Sequence, residues 1–370
     1  MSSGDGIGLY IHVPFCDGKC PYCDFYSLRG TDALMDKYTE SIVRYLEYWA
    51  NALSRRKADT LYFGGGTPNL IGSKRLIKIL TAAQKFFALE NAEITIEVNP
   101  GKDLYPFFRE IRSAGVNRLS VGLQSANDGE LMLLGRHHTA QQAFKAVSDA
   151  QKAGFDNISA DLMLAVQKQT VKSLKRSVSA CGKLGVQHVS AYLLQVEPHT
   201  VYGKKRAELC LPDDDTAAAL YVCACDELEK LGFKQYEISN FAQKGFESLH
   251  NLKYWHCEEY LGLGPAAHSF IGGKRFHYPR GLNSFIAYED PVQDGDGGGF
   301  DEFAMLALRL SEGLTDGNCS ARFGSKIPCS IKRSAKMYES SGFTACSPDG
   351  FRFTPRGFLV SNILTPEILF

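Results

Sequence analysis

The chain has 370 residues, with 41 Lys and Arg against 41 Asp and Glu, so its formal net charge is zero. The missing basic excess excludes a non-specific polyanion binder. A hydrophobic share of 44% against 22% charged excludes a disordered chain, and no apolar run reaches the roughly 18 residues of a membrane span.

At about 150 residues per domain, this length gives two domains or one large one with an appendage. Met1 to Gly8 offers neither a basic start nor an apolar stretch, so we expect no signal peptide and a cytoplasmic protein. Eleven cysteines in such a chain point to metal or redox chemistry rather than disulfides.

Taken in chain order, strand-like segments are Ile7–Val13, Thr60–Phe63, Glu93–Val98, Arg118–Gly122, Asn157–Asp161 and Gln187–Leu193. Helix-like segments alternate with them: Leu34–Leu53, Ser73–Phe87, Leu104–Ala114, Ala140–Ala153 and Val171–Leu184. Strand-then-helix order predicts a parallel sheet with right-handed crossovers. A curled partial barrel and an open doubly wound sheet share this pattern. In both, chemistry gathers beyond the carboxyl ends of the strands. Cys16 follows the first strand, Gly64-Gly65-Gly66-Thr67 the second, Asn99-Pro100 the third and Gln124-Ser125 the fourth.

After about Leu209 the alternation stops. Leu211 to Asp215 reads as a linker into a helix over 216–231, with Asp as its cap. Residues 236–285 are rich in aromatics and glycine, and Gln293 to Gly299 reads as a mobile loop. The tail from Asp301 reads as short helices ending in a hairpin over Gly350–Val360. We therefore expect three parts: 1–210, 211–285 and a mainly helical 286–370.

Cys16, Cys20 and Cys23 have the spacing C-x3-C-x2-C. At this cysteine frequency, chance gives that spacing in about one per cent of chains. Zinc would need a fourth ligand nearby, and His12 lies on the strand rather than in the loop. Three thiolates on one tight loop suit a cubane iron–sulfur cluster with one iron left open. The other cysteines, Cys181, Cys210, Cys223, Cys225, Cys319, Cys329 and Cys346, show no ligand spacing and are expected as packed thiols.

The triad after a first strand, followed by Phe63-Gly64-Gly65-Gly66-Thr67-Pro68, resembles the radical SAM superfamily, in which the open iron binds S-adenosylmethionine (SAM). That resemblance implies a partial (β/α)6 barrel, here with a mixed, mainly helical C-terminal domain. Leu9 to Cys16, Thr95 to Pro100, Asn117 to Ser125, Leu134 to His138 and Asn157 to Leu162 resemble its coproporphyrinogen-dehydrogenase-like branch. The resemblance implies a [4Fe-4S] cluster on Cys16, Cys20 and Cys23, and Tyr10 beside the SAM sulfonium. It implies Gly65, Gly66 and Thr67 on the methionine amino group, and Glu97 and Gln124 on the ribose hydroxyls. Arg136 would pair with the SAM carboxylate, Asp161 would sit on the ribose side, and Tyr22 would lie at the same site. Each role suits its residue: carboxylates accept from hydroxyls, and guanidinium forks onto carboxylate.

Two features select within the branch. The dehydrogenase carries a fourth cysteine two residues after the third, where this chain has Phe25. His250-Asn251-Leu252-Lys253-Tyr254-Trp255 is similar to the HNxxYW motif of the HemW-type heme chaperones. An imidazole is a good axial ligand for heme iron, and Tyr254 and Trp255 offer flat faces to a porphyrin. His256 and Cys257 stand beside the motif as further possible ligands. The resemblance implies heme as ligand, and as partners heme-receiving apo-proteins such as respiratory enzymes, membrane-bound ones among them, with no nucleic acid. Oxidation of coproporphyrinogen III and radical C-methyl transfer are the enzymatic alternatives, so catalysis stays open. One stretch departs from the family: Leu164 to Thr170 lacks its usual Gly-Leu-Pro turn, beside what would be the adenosine side.

Overall fold

The structure, a computed structural model, describes residues 6–370; the reading of the first five residues falls outside it. Six strand–helix units come first. They are β1 (Ile7–Val13), α1 (Asp32–Ala52), β2 (Ala58–Gly65), α2 (Gly72–Phe87), β3 (Glu93–Val98) and α3 (Tyr105–Ser113). Then follow β4 (Arg118–Gln124), α4 (Asp128–Leu133), α5 (Ala140–Lys152), β5 (Ile158–Leu164), α6 (Val171–Leu184) and β6 (His188–Leu193). The strands pair in parallel and in chain order, β1 to β6. Helices on a parallel sheet bury its strands, and six of the seven β1 residues are buried. Helix starts carry their own signals: Thr139 and Thr170 form capping boxes with Gln142 and Ser173.

The sheet does not close. Further on come α7 (Val201–Lys204), α8 (Asp214–Lys230), β7 (Lys234–Gln235), β8 (Asn240–Ala242), α9 (Leu249–Trp255) and β9 (Tyr260–Leu263). These lead to β10 (His268–Ile271), β11 (Lys274–His277), α10 (Leu282–Ile286) and β12 (Val292–Asp296). β8 joins the β6 edge antiparallel, while β9 joins the β1 edge in parallel and leads into an antiparallel meander through β12. The expected middle part therefore extends the barrel sheet at both edges. The stretch read as a mobile loop is largely β12, held by pairing to β11. Its glycines and aspartates hid a strand whose order comes from its neighbour.

The C-terminal part holds α11 (Phe300–Ala307), β13 (Leu314–Thr315), α12 (Asp316–Phe323), α13 (Cys329–Met337), β14 (Thr344–Ser347), β15 (Gly350–Phe353), α14 (Pro355–Leu359) and α15 (Ser361–Leu369). The hairpin lies earlier than expected, between β14 and β15. Thr354 then caps α14, with Pro355 at its first position. One apolar core runs from Ile7 to Ile368. All eleven cysteines are free, but Cys210 and Cys329 are exposed rather than packed. Among the described residues no helix is long and apolar enough to cross a membrane.

Candidate cofactor and ligand site

The thiol loop is anchored at its root. Cys16 N donates to Leu28 O at 3.0 Å and Leu28 N to Pro14 O at 2.8 Å, so the loop leaves and rejoins the end of β1. Cys23 N donates to Cys20 O at 3.0 Å, which turns the second half tightly. All three cysteines line one cavity of about 450 Å³. Their sulfurs are not drawn together as ligands of one ion. Among the described residues only His268, His277 and Asp294 gather three ligand atoms within 4.8 Å. Thiolates on a single zinc would lie about 4 Å apart, given Zn–S near 2.3 Å. Wider spacing suits a cluster, where each thiolate holds its own iron. Burial, with the neighbouring thiols adding, pushes the Cys23 thiol up, so a bound cation is what would favour its thiolate.

The glycine loop lies against that root. Gly66 N donates to Val13 O at 2.8 Å and Thr67 N to Phe15 O at 2.7 Å. A Cβ on Gly66 would come within 2.6 Å of Phe15 O, so no other residue fits. Gly65 has φ +108°, and its absent Cβ leaves the His12 ring in place. Thr67 Oγ1 sits 3.3 Å from Cys16 Sγ and accepts from Asn99 Nδ2 at 2.8 Å.

Strands β3 to β5 supply the far wall. Glu97 accepts from Tyr62 OH at 2.9 Å and from Gly65 N at 3.1 Å. Burial, then the charge of Asp161, pushes its carboxyl up to about 7. Asp161 accepts from Ser120 Oγ at 2.9 Å, and burial raises it too. Gln124 is buried with φ +63°, a left-handed strand end of the kind that clusters at functional sites. Arg136, carried in by α4, donates through Nη1 to Asn99 Oδ1 at 3.2 Å, while its Nε is buried without a partner. An unpaired buried guanidinium N–H on the cavity wall calls for an anion.

Cys16, Cys20, Cys23, Tyr22, Gly65, Gly66, Thr67, Glu97, Gln124, Arg136 and Asp161 thus meet on one cavity. The expected set lacked Asn99, Ser120 and Tyr62, which position its members. Asn99 directly follows the carboxyl end of β3, a signal that could have found it; Ser120 and Tyr62 lie within β4 and β2 and carry none.

Tyr10 lines a second, adjoining cavity of about 750 Å³, with its ring against Gly64 beside Glu97 and its hydroxyl 3.0 Å from His12 Nδ1. The turn expected beside the adenosine side lies elsewhere: Met163 lines the first cavity, but Leu164 to Thr170 do not. Without glycine, Ala165 and Lys168 take φ +57° and +59°. Gln169 holds the turn, accepting from Ala165 N at 2.7 Å and donating to Met163 O at 3.1 Å.

Tyr254 and Trp255 line the second cavity, which shares Tyr22, Asp24, Phe25 and Gln195 with the first. Phe25, 64% exposed, stands at both mouths. The Trp255 Nε1 is buried without an acceptor. His250 does not fit the expected open ligand. It is 1% exposed, its Nδ1 lies 2.8 Å from Thr60 Oγ1, and its Nε2 lies 2.7 Å from Tyr254 OH. Glu93 fixes it further by accepting from Leu249 N and His250 N, each at 3.1 Å. His250 is therefore a strut behind Tyr254. His256 pairs with Glu312 at 3.1 Å, Cys257 is buried, and neither lines the cavity.

The family described as Radical SAM superfamily matches residues 10–181, and the HemN C-terminal domain matches residues 301–360. The chain is 31% identical to "Heme chaperone HemW" of Bacillus subtilis, over 95% of this chain and 96% of that protein. It is 34% identical to the HemW of Mycobacterium tuberculosis, over 99% and 95%. Among solved structures, coproporphyrinogen III oxidase (HemN) from Escherichia coli aligns with a TM-score of 0.83 at 19% identity, over 98% and 90%, which establishes the fold.

Proposed function

The chain belongs to the HemW family of the radical SAM superfamily, and from that premise we propose that it is a heme chaperone. It holds a [4Fe-4S] cluster on Cys16, Cys20 and Cys23, SAM in the first cavity and heme in the second. It passes heme to apo-hemoproteins, respiratory enzymes among them. The observation that carries this reading is the second cavity, walled by Tyr254 and Trp255 and sharing a wall with the thiol cavity. Its volume of about 750 Å³ falls in the range of small-molecule and cofactor pockets.

A cluster with one open iron, together with SAM, supplies one-electron chemistry when bound. The chain's own residues orient and enclose. Arg136 offers its free Nε to the SAM carboxylate. Glu97 and Asp161 accept from ribose hydroxyls once ionised. Tyr22 and Phe25 stand between the two ligands, in both walls. Tyr254 and Trp255 give the porphyrin an apolar face, and the hydrogen bond between His250 Nε2 and the Tyr254 hydroxyl fixes the Tyr254 ring. Phe25, where the dehydrogenase has its fourth cysteine, speaks against porphyrinogen oxidation.

The test is transfer. The cluster-loaded chain, charged with hemin, is mixed with membranes holding a heme-free respiratory enzyme. Recovery of that enzyme's activity beyond the hemin-only control supports the reading. Conversion of coproporphyrinogen III to protoporphyrinogen, or release of S-adenosylhomocysteine, would replace it with one of the two enzymatic readings.

A further inference from the structure

We propose that the imidazole that takes heme iron comes from the His268–His277 pair on the β10–β11 hairpin, braced by Asp294, and not from His250. This rests on the reading that heme occupies the second cavity. His250 has no free ring nitrogen and no exposure, so ligation there would break both its hydrogen bonds and open the core. The same cavity has imidazoles that need no such rearrangement. His268 and His277 line it together with Tyr254 and Trp255.

The pair is built by register. His268 and His277 are directly opposite in the antiparallel β10–β11 ladder, so both side chains leave the same face. Their rings stack with centroids 4.9 Å apart. β12 then brings in Asp294, whose Oδ1 and Oδ2 lie 2.8 Å and 3.0 Å from His277 Nδ1. Asp294 Oδ2 lies 3.6 Å from His268 Nδ1. A carboxylate on Nδ1 holds the proton there, leaving Nε2 as a free lone pair. That is the arrangement in which histidines bind metals, the carboxylate fixing tautomer and ring orientation. Two further features suit heme over a bare ion. The His268 side chain is 64% exposed, so a large ligand can reach it. Arg280, 55% exposed on the same cavity, offers a guanidinium to a propionate.

The test is anaerobic hemin binding by the full cluster-loaded chain, read by affinity and by resonance Raman of the iron–imidazole bond. If the wild type binds no hemin, the heme reading itself fails, before any variant is made. If it binds, His268→Ala/His277→Ala is expected to weaken affinity by about tenfold or more, roughly 1.4 kcal/mol, and to remove the iron–imidazole band. Asp294→Asn is expected to keep binding but move that band to lower frequency, because a neutral amide draws less on the Nδ1 proton and weakens the imidazole as a donor to iron. His250→Gln is expected to keep the band unshifted. A double variant with the wild-type band overturns the inference, as does one that loses only affinity for zinc. So does loss of the band in His250→Gln while the chain stays folded. The hairpin positions are accessible on the surface, so their variants do not depend on core repacking.

Discussion

His250 Nε2 and the Tyr254 hydroxyl lie 2.7 Å apart, one helical turn from each other on α9, with Thr60 closing the other side of the imidazole. Burial lowers this imidazole from its ordinary 6.5 to about 3. The folded chain thus refuses a proton that the unfolded chain takes up below pH 6.5. The stability owed to neutral His250 is complete above that pH. It falls by about 1.4 kcal/mol per pH unit below it, until the folded form protonates near pH 3.

His250→Gln should therefore cost about 1–3 kcal/mol of stability at pH 8. Glutamine has no such titration, so the gap to wild type should shrink below pH 6.5 and close near pH 5. Urea unfolding of both proteins at pH 8, 6 and 5 checks this. A gap that is constant with pH would mean that His250 is not held neutral.

Replacing Cys16, Cys20 or Cys23 by Ala should abolish bound iron and labile sulfide. Replacing Cys223, Cys225 or Cys346 should leave both intact. Iron and sulfide analysis after anaerobic reconstitution decides, and unchanged content in a triad variant would refute the cluster assignment.

Glu97 gives a pH signature for SAM. Its carboxyl sits near 7 in the ligand-free chain, and the ionised form is the one that accepts from ribose hydroxyls. SAM affinity should rise with pH up to about 7, by as much as roughly tenfold per unit, and level off above it. Calorimetric titrations at pH 6, 7 and 8 should show this slope in wild type and none in Glu97→Gln. Arg136→Gln should weaken SAM binding by about 1.5–3 kcal/mol at every pH.

Ala165 carries a left-handed φ of +57° where a glycine would be relaxed. Ala165→Gly should stabilise the chain by about 1 kcal/mol, without changing SAM affinity, because the turn does not line the first cavity. Chemical denaturation and SAM titration of the variant check both halves.

The sequence made much of this legible, and the reasons are local. Each of β1 to β6 is an apolar run with its chemistry at the carboxyl end, so the first cavity's residues could be collected strand by strand. Tyr10 came only through the resemblance, because strand alternation alone does not say which of two adjoining cavities a face serves. The HNxxYW spacing located Tyr254 and Trp255 but is silent on Thr60, which reaches His250 from β2, 190 residues away. His268 falls in Tyr260–Ser269, a stretch similar to the family's but with no ligand role read from it, and His277 and Asp294 carry no motif. They meet through the register of a meander whose last strand is glycine-rich and reads as a loop.

The most direct measurement is an anaerobic hemin titration of the cluster-loaded full chain, followed at the Soret band, beside Trp255→Ala. The account predicts a saturable transition at one equivalent, with affinity clearly reduced in the variant. A rise that never saturates, or a saturation that Trp255→Ala leaves untouched, would contradict heme binding in the second cavity.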